Sequence, residues 1–226
     1  MKIRIWQIQE DLDSDHVLFA DLDHLRKAGG KLVDSRPYAM VFEGNVKENS
    51  LEGVFSRFNS GRVPQNYFAR SLSVSDVVEV VDADGLETGF YFCDRVGFCS
   101  VEFDPAAAKG KSLRIILIHP CKKPIVAHIP AVLELYQMIV GGTVQGISSW
   151  FAPDPVMLCC NDDGKLKELP YNRLICRLGR PIDYIVGTVF LCGIESDPDG
   201  VQHFGSVRED LLDKYMKKFA TEVVEL

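Results

Sequence analysis

The residues best suited to chemistry lie in "CNDDGKLKELPYNRL", residues 160–174, the most polar and turn-rich stretch in the second half of the chain. It separates "PVML" from "LICRL", two runs that read as buried. Asn161, Asn172 and Arg173 are its candidate ligand-binding residues. Pro170 fixes φ and removes an amide donor, so the pair that follows is stiff and expected outside a central strand. A guanidinium offers a planar fork of donors to a carboxylate or phosphate. The same Asn-Arg pair can anchor a loop by bonding main-chain carbonyls, and both readings stand at this point. In the first, the protein handles nucleotides, with Arg173, Asn172 and Asn161 on phosphate or base.

Other reactive side chains are arranged less suggestively. Of the five histidines, His16 and His24 sit beside Asp15 and Asp23 and read as surface residues. His119 ends the strand-like "IILIH", and His128 and His203 flank expected helices. Asp162-Asp163 and Asp197 with Asp199 fall in turn-like stretches, where aspartate bonds its own local backbone. "ESDPDG" lacks the rest of a calcium loop. The seven cysteines show no C-x-x-C spacing and lie mostly in apolar runs, so they read as buried reduced thiols. His119 with Cys121 is the nearest approach to a metal pair, and no metal or cofactor is expected. Glycine-rich phosphate loops, H-E-x-x-H and the G-x-S-x-G elbow are all missing, so no catalytic residue is assigned.

The elements that would position these residues belong to an ordinary globular chain. Its 226 residues are 46% hydrophobic and 25% charged. The net charge of −7 is uneven: residues 1–104 hold 18 acids and 11 bases, residues 105–226 hold 14 of each. That argues against binding nucleic acid through a basic surface. An acidic DNA mimic of the anti-restriction kind stays open. No apolar run reaches membrane-spanning length and no signal peptide is seen, so a cytoplasmic protein with no membrane partner is expected.

Two halves are expected, 1–104 and 113–226, joined by a linker at 105–112, where Pro, alanines, Gly and lysines offer little to pack. In the first half "KIRIWQI", "HVLFADL" and "YAMVFEG" read as strands. "DLDHLRKAGG" reads as a short helix capped by Asp21 or Asp23 and stopped at Gly29. "NSLEGVFSRFN" reads as an amphipathic helix capped by Asn49 or Ser50. Val77 to Phe103 reads as a three-stranded meander. In the second half "LRIILIHP", "TVQGISSWF" and "VMLCCN" read as strands. "RPIDYIVGTVFLCGI" contains the most hydrophobic one. "IPAVLELYQMIVGG" reads as a helix with Pro130 in its first turn, Ile129, Leu133, Tyr136 and Val140 on one face, and Gly141 at its end. "DDGK" reads as a turn in which Gly164 can take positive φ at no steric cost. Ser206 with Glu209 is expected to form a capping box for the last helix. Without regular βαβ alternation the class is α+β, each half a mostly antiparallel or mixed sheet with one or two packed helices.

At these residues two resemblances emerge. "RSLSVSDVVEV" (70–80) followed by "GFYFCDRVGF" (89–98) is similar to YodL-like domains, closely over 70–104 and more weakly over 1–69. "VGG" (140–142), "CNDDGKL" (160–166), "LPYNR" (169–173), "DYIVGTVFLCG" (183–193) and "FGSVREDLLDKYMKKF" (204–219) follow in order. Over about 113–220 they resemble a domain of unknown function found in bacteria, phages and conjugative elements. That family usually has Gly before its Leu-Pro pair, where this chain has Glu168. Neither resemblance implies a reaction. Their company implies mobile-element proteins, the first family being found in gut Firmicutes. The expectation is a non-enzymatic accessory or interaction protein, binding a host protein or small ligand.

Overall fold

The computed structural model describes residues 1–27 and 33–226. Contacts divide the chain into two compact units, Met1–Ser112 and Leu113–Leu226. Each is α+β and rich in sheet.

The first unit is built on five strands: β1 (Lys2–Ile8), β2 (Tyr38–Asn45), β3 (Val77–Asp82), β4 (Gly89–Cys93) and β5 (Phe98–Val101). They form one antiparallel sheet in the order β2-β1-β3-β4-β5. Alternation in β1 sends Ile3 and Ile5 to one face and Trp6 and Ile8 to the other, and both faces are covered. A register shift against β2 after Ile5 lets the consecutive Val41 and Phe42 join the same cluster as Ile3 and Ile5. Helix α2 (Leu51–Asn59) covers that face with Leu51, Val54 and Phe58. Burying each such side chain is worth about 1.5–3 kcal/mol, far more than the propensity of nine residues containing a Gly. Ser50 caps α2 by accepting the Gly53 amide.

One expectation for this half changes. Residues 16–21 are coil with a turn at Leu18–Phe19 rather than a strand, because Asp13 Oδ1 and Oδ2 accept the amides of Val17 and Leu18 and curl the chain. Helix α1 is short, Leu22–Lys27, with Asp21 accepting the His24 amide. The stop expected at Gly29 lies outside the described residues. Residues 105–110 carry a 3-10 turn, Pro105–Ala107, capped by Asp104. The amides of Lys109 and Gly110 then donate to Arg36 and Tyr38 carbonyls. A Cβ on Gly110 would stand 2.6 Å from the Tyr38 oxygen, so only glycine allows this approach.

The second unit contains β6 (Ser112–Ile118), β7 (Ile125–Pro130), α3 (Leu133–Val140), β8 (Val144–Ile147), β9 (Val156–Asn161), β10 (Tyr171–Arg177), β11 (Arg180–Val186), β12 (Val189–Ser196), β13 (Gln202–Gly205), α4 (Glu209–Lys218) and β14 (Val223–Glu225). One sheet runs β7-β6-β12-β9-β8 with β13 also paired to β12; the other runs β11-β10-β14, with β14 parallel to β10. One core joins them: Ile116, Leu158 and Leu191 from the large sheet, Ile175, Ile185 and Val224 from the small one, and Leu211, Tyr215 and Phe219 from α4 and its end.

Several local expectations are corrected here. Ile129 and Pro130 belong to β7, and α3 starts at Leu133, which is exposed; Leu135, Tyr136, Ile139 and Val140 are its buried face. Gly141 does end it, at φ 77°. The run "RPIDYIVGTVFLCGI" is two strands, divided at Gly187 with φ 68°. Helix α4 is capped without a box: Ser206 Oγ instead accepts the Arg114 amide. His128 is buried in β7 rather than at a helix flank.

In the turn after β9, Gly164 is not at positive φ; Glu168 is, at 51°. Gly164 is needed for closeness, since a Cβ there would meet the Asn161 carbonyl and Val186 at 3.1 Å. The tight turn before Leu169-Pro170 therefore forms with a glutamate in the left-handed region, which costs about 1–2 kcal/mol. Glu168→Gly is expected to raise the urea midpoint of the second unit, by about 0.5–1 kcal/mol of net stability after the extra freedom glycine gives the unfolded chain.

Candidate functional site

Asn172 and Arg173 lie on β10, the central strand of the small sheet, and not on a loop. Pro170 is compatible because it precedes the strand's first residue. A register shift between Tyr171 and Arg173 lets two successive side chains turn inward, each 2% exposed. Asn172 Nδ2 donates to the Ile118 and Gly187 carbonyls, at 3.0 and 2.6 Å. Arg173 Nε and Nη2 donate to the Phe219 carbonyl, both at 3.1 Å. Its Nη2 also reaches the Lys122 carbonyl at 2.6 Å, and Nη1 bonds Asn172 O and Oδ1, each at 2.9 Å. The fork of donors thus falls on oxygens of this chain. Phe219 caps the C-terminal end of α4, where unpaired carbonyls carry partial negative charge, so a buried guanidinium suits that place. Burial lowers the Arg173 pKa from its usual value, opposed by the nearby acidic Glu222.

Asn161 has a similar role in the preceding motif. Its Nδ2 donates to the Val140 and Gly141 carbonyls at the end of α3, and its Oδ1 accepts the Asp163 amide. A Cβ on Gly142 would come within 2.7 Å of Asn161 Nδ2, so "VGG" and "CNDDG" need each other. "LPYNR" and "VGT" meet likewise: the Gly187 amide donates to Pro170 O, and a Cβ on Gly187 would strike Leu169 at 2.8 Å. Four separated motifs form one hydrogen-bonded knot.

Beside the knot, a small cleft of about 90 Å³ opens between β8 and β11. Gln145, Ile147 and Trp150 line one side, Cys160 and Asn161 the floor, and Asp162, Lys165 and Asp183–Val186 the other side. Lys165 pairs with Asp183, and its ammonium sits 4.6 Å above the Tyr184 ring. Asp162 and Asp183 raise the Cys160 pKa and Lys165 lowers it, after burial as the main cause. His119 is elsewhere, with Nδ1 3.0 Å from Thr188 Oγ1, its pKa lowered first by burial and then by Lys122. His203 bonds Asp197, which also holds its own turn through the amides of Asp199 and Val201. Among the described residues no group of His, Cys, Asp and Glu is arranged to hold a metal ion. Five cysteines are buried, Cys99 is half-buried and Cys121 exposed, all with free thiols.

Residue-by-residue reading missed the polar centre of the first unit. Asp76 is fully buried between β1 and the loop before β3. Arg70 grips both its oxygens, while Ser73 N and Gln7 Nε2 donate to Oδ2 at 2.8 and 3.0 Å. The next shell includes Tyr67, whose hydroxyl bonds the Arg70 carbonyl, and Tyr38, whose hydroxyl bonds Ser75 O at 2.6 Å. Ser75, at φ 78°, accepts the Phe19 amide, and Phe19, at φ 65°, lies 5.0 Å beneath the Arg70 guanidinium. Arg70, Ser73, Ser75 and Asp76 all come from the "RSLSVSD" run. Its signal was an arginine and an aspartate flanking small hydroxyl residues, immediately before a β-branched strand. A groove of about 740 Å³ in this unit is lined, among the described residues, by charged groups of both signs, including Asp15, His24, Asp34, Arg36 and Lys109.

The geometry is thus two α+β units, one organised around a buried aspartate gripped by Arg70 and the other around the buried Arg173. A model of the YodL-like domain matches residues 2–103, and a model of a domain of unknown function (DUF3846) matches residues 113–220. The first half thus matches the YodL-like domain and the second matches that domain family of unknown function. No curated protein and no solved structure gives a significant match. No helix among the described residues is long and apolar enough to cross a membrane.

Proposed function

We propose that the chain is an interaction protein that acts by binding rather than by catalysis, an accessory of a mobile genetic element directed at a host protein. The observation that carries this reading is an exposed apolar row on the small sheet. Tyr184, Leu174 and Val223 occupy one register line across β11, β10 and β14, with Ile182 two residues along on the same face. Tyr184, Ile182 and Val223 are each more than two-fifths exposed. Ile175 and Val224, on the opposite face, belong to the core. Apolar surface gathered on one rigid sheet and rimmed by Arg177, Arg180 and Lys165 suits a protein partner.

The nucleotide reading has weaker support, because Arg173 would have to release Phe219 and Lys122 before reaching a phosphate. The test is affinity capture with the full chain from a Firmicute lysate. The same protein should be recovered in replicate, lost with Ile182→Lys plus Tyr184→Lys, and retained with Val96→Lys, a fully exposed control in the first unit. Capture insensitive to the paired substitution overturns the reading. A nucleotide that raises the melting temperature of the full chain shifts it to the rival.

A further inference from the structure

We propose that the cleft between β8 and β11 binds a guanidinium group, its occupant an arginine side chain from an extended segment of a partner protein. Size decides first. Pockets for drug-sized ligands run to roughly 300–1,000 Å³, whereas this cleft holds about 90 Å³. It admits the head of one side chain and excludes a nucleotide.

Charge decides next. Asp162 and Asp183 face Lys165, leaving one negative charge to be matched. Lys165 engages Asp183 through Oδ1, which also accepts the Tyr184 amide. Among the described residues, the Asp162 carboxylate and Asp183 Oδ2 have no partner within the chain. An anion entering here would meet two carboxylates and a single, already paired ammonium. A cation would meet open acceptors and the aromatic rings of Trp150 and Tyr184. Lys165, held by a carboxylate above an aromatic ring, already displays the chemistry on offer. A planar fork stacks on a ring and bonds two acceptors at once, which an ammonium does less well, so arginine is favoured over lysine.

The surroundings indicate the donor of that side chain. β11 is an edge strand, paired on one side with β10. An extended segment laid beside it would direct alternate side chains toward the cleft, over the residues beyond Pro181, which itself blocks strand addition. The choice of a protein source rests on the interaction reading above; the guanidinium site does not.

The test is an NMR titration of the full chain with ethylguanidinium chloride, against ethylammonium chloride and sodium chloride at equal ionic strength. The two tryptophans provide reporter and control. Trp150 lines the cleft, while Trp6 Nε1 is tied to Glu79 at 3.1 Å in the first unit. The Trp150 indole resonance should shift saturably with ethylguanidinium and several-fold more weakly with ethylammonium, and Trp6 should stay still. Asp162→Asn should weaken binding about two- to five-fold, as expected for one solvent-exposed charged partner. Lys165→Met should tighten it by removing the competing cation. Unchanged dispersion of the other resonances shows that both surface variants remain folded. No saturable Trp150 shift, or equal binding to Asp162→Asn, overturns the site. Probe binding with failed lysate capture would leave the site standing and remove only the protein partner.

Discussion

Arg173→Ala lowers the stability of the second unit by about 3–5 kcal/mol, the order expected when several buried carbonyls lose their partners at about 1–3 kcal/mol each. The size follows from what the guanidinium holds. Its donors satisfy the carbonyls of Phe219, Lys122 and Asn172 in a space that is 2% exposed. With alanine those oxygens stay buried and lose their bonds, and water has little room to replace them. The end of α4, the segment after β6 and the start of β10 come apart together. Arg173→Lys recovers less than half of the loss, because a single ammonium cannot reproduce a fork that reaches four acceptors. Urea denaturation followed by Trp150 fluorescence, in a Trp6→Phe background, measures it. A wild-type midpoint for Arg173→Ala would refute this account of the knot and return the residue to ligand binding.

The second large effect is a pH dependence centred on Asp76. Burial pushes its pKa up to about 6, against the pull of Arg70, Ser73 and Gln7. Between pH 4 and 6 the native state therefore holds a proton that the unfolded chain, titrating near 3.8, has released. Stability is greatest on the acid side of this window and falls as pH rises through 6, by up to about 3 kcal/mol at 1.36 kcal/mol per pKa unit. Asp34, the carboxylate of this unit whose pKa is lowered, acts in the opposite sense, and its contribution is lost only as pH falls below the usual carboxylate range. The window from 4 to 6 thus belongs to Asp76. Unfolding followed by Trp6 fluorescence in a Trp150→Phe background should show the fall, and Asp76→Asn should flatten it. A carboxyl carbon signal of Asp76 titrating near 4 would contradict the prediction.

The α+β class could be read directly, because local patterns carry it. The alternation in "KIRIWQI", the cap at Ser50 and the stop at Gly141 each act within a few residues of their own position, and each recurs in the fold. The errors share a cause. Residues 16–22 look like a strand until Asp13 takes their amides; "IP" at 129–130 looks like a helix start until β6 claims it as β7; Ser206 looks like a cap until Arg114 bonds it. In each case a partner distant in sequence, or a side chain outside the window, competed for the same backbone group.

The candidate site divides in the same way. The sequence alone determined that Asn161, Asn172 and Arg173 belong to special motifs, and that "RSLSVSD" marks the first half, because residue identity and order are enough to recognise a family. It also determined the acidic bias of residues 1–104. Only the tertiary structure decided what these residues touch. A register shift in β10 turned an arginine inward against helix-end carbonyls in one unit, and the loop before β3 set a buried aspartate against an arginine in the other. A hydrogen bond depends on atoms within about 3 Å, and the chain brings such atoms together from as many as 95 residues apart. That separation is why their chemistry became visible only in the fold.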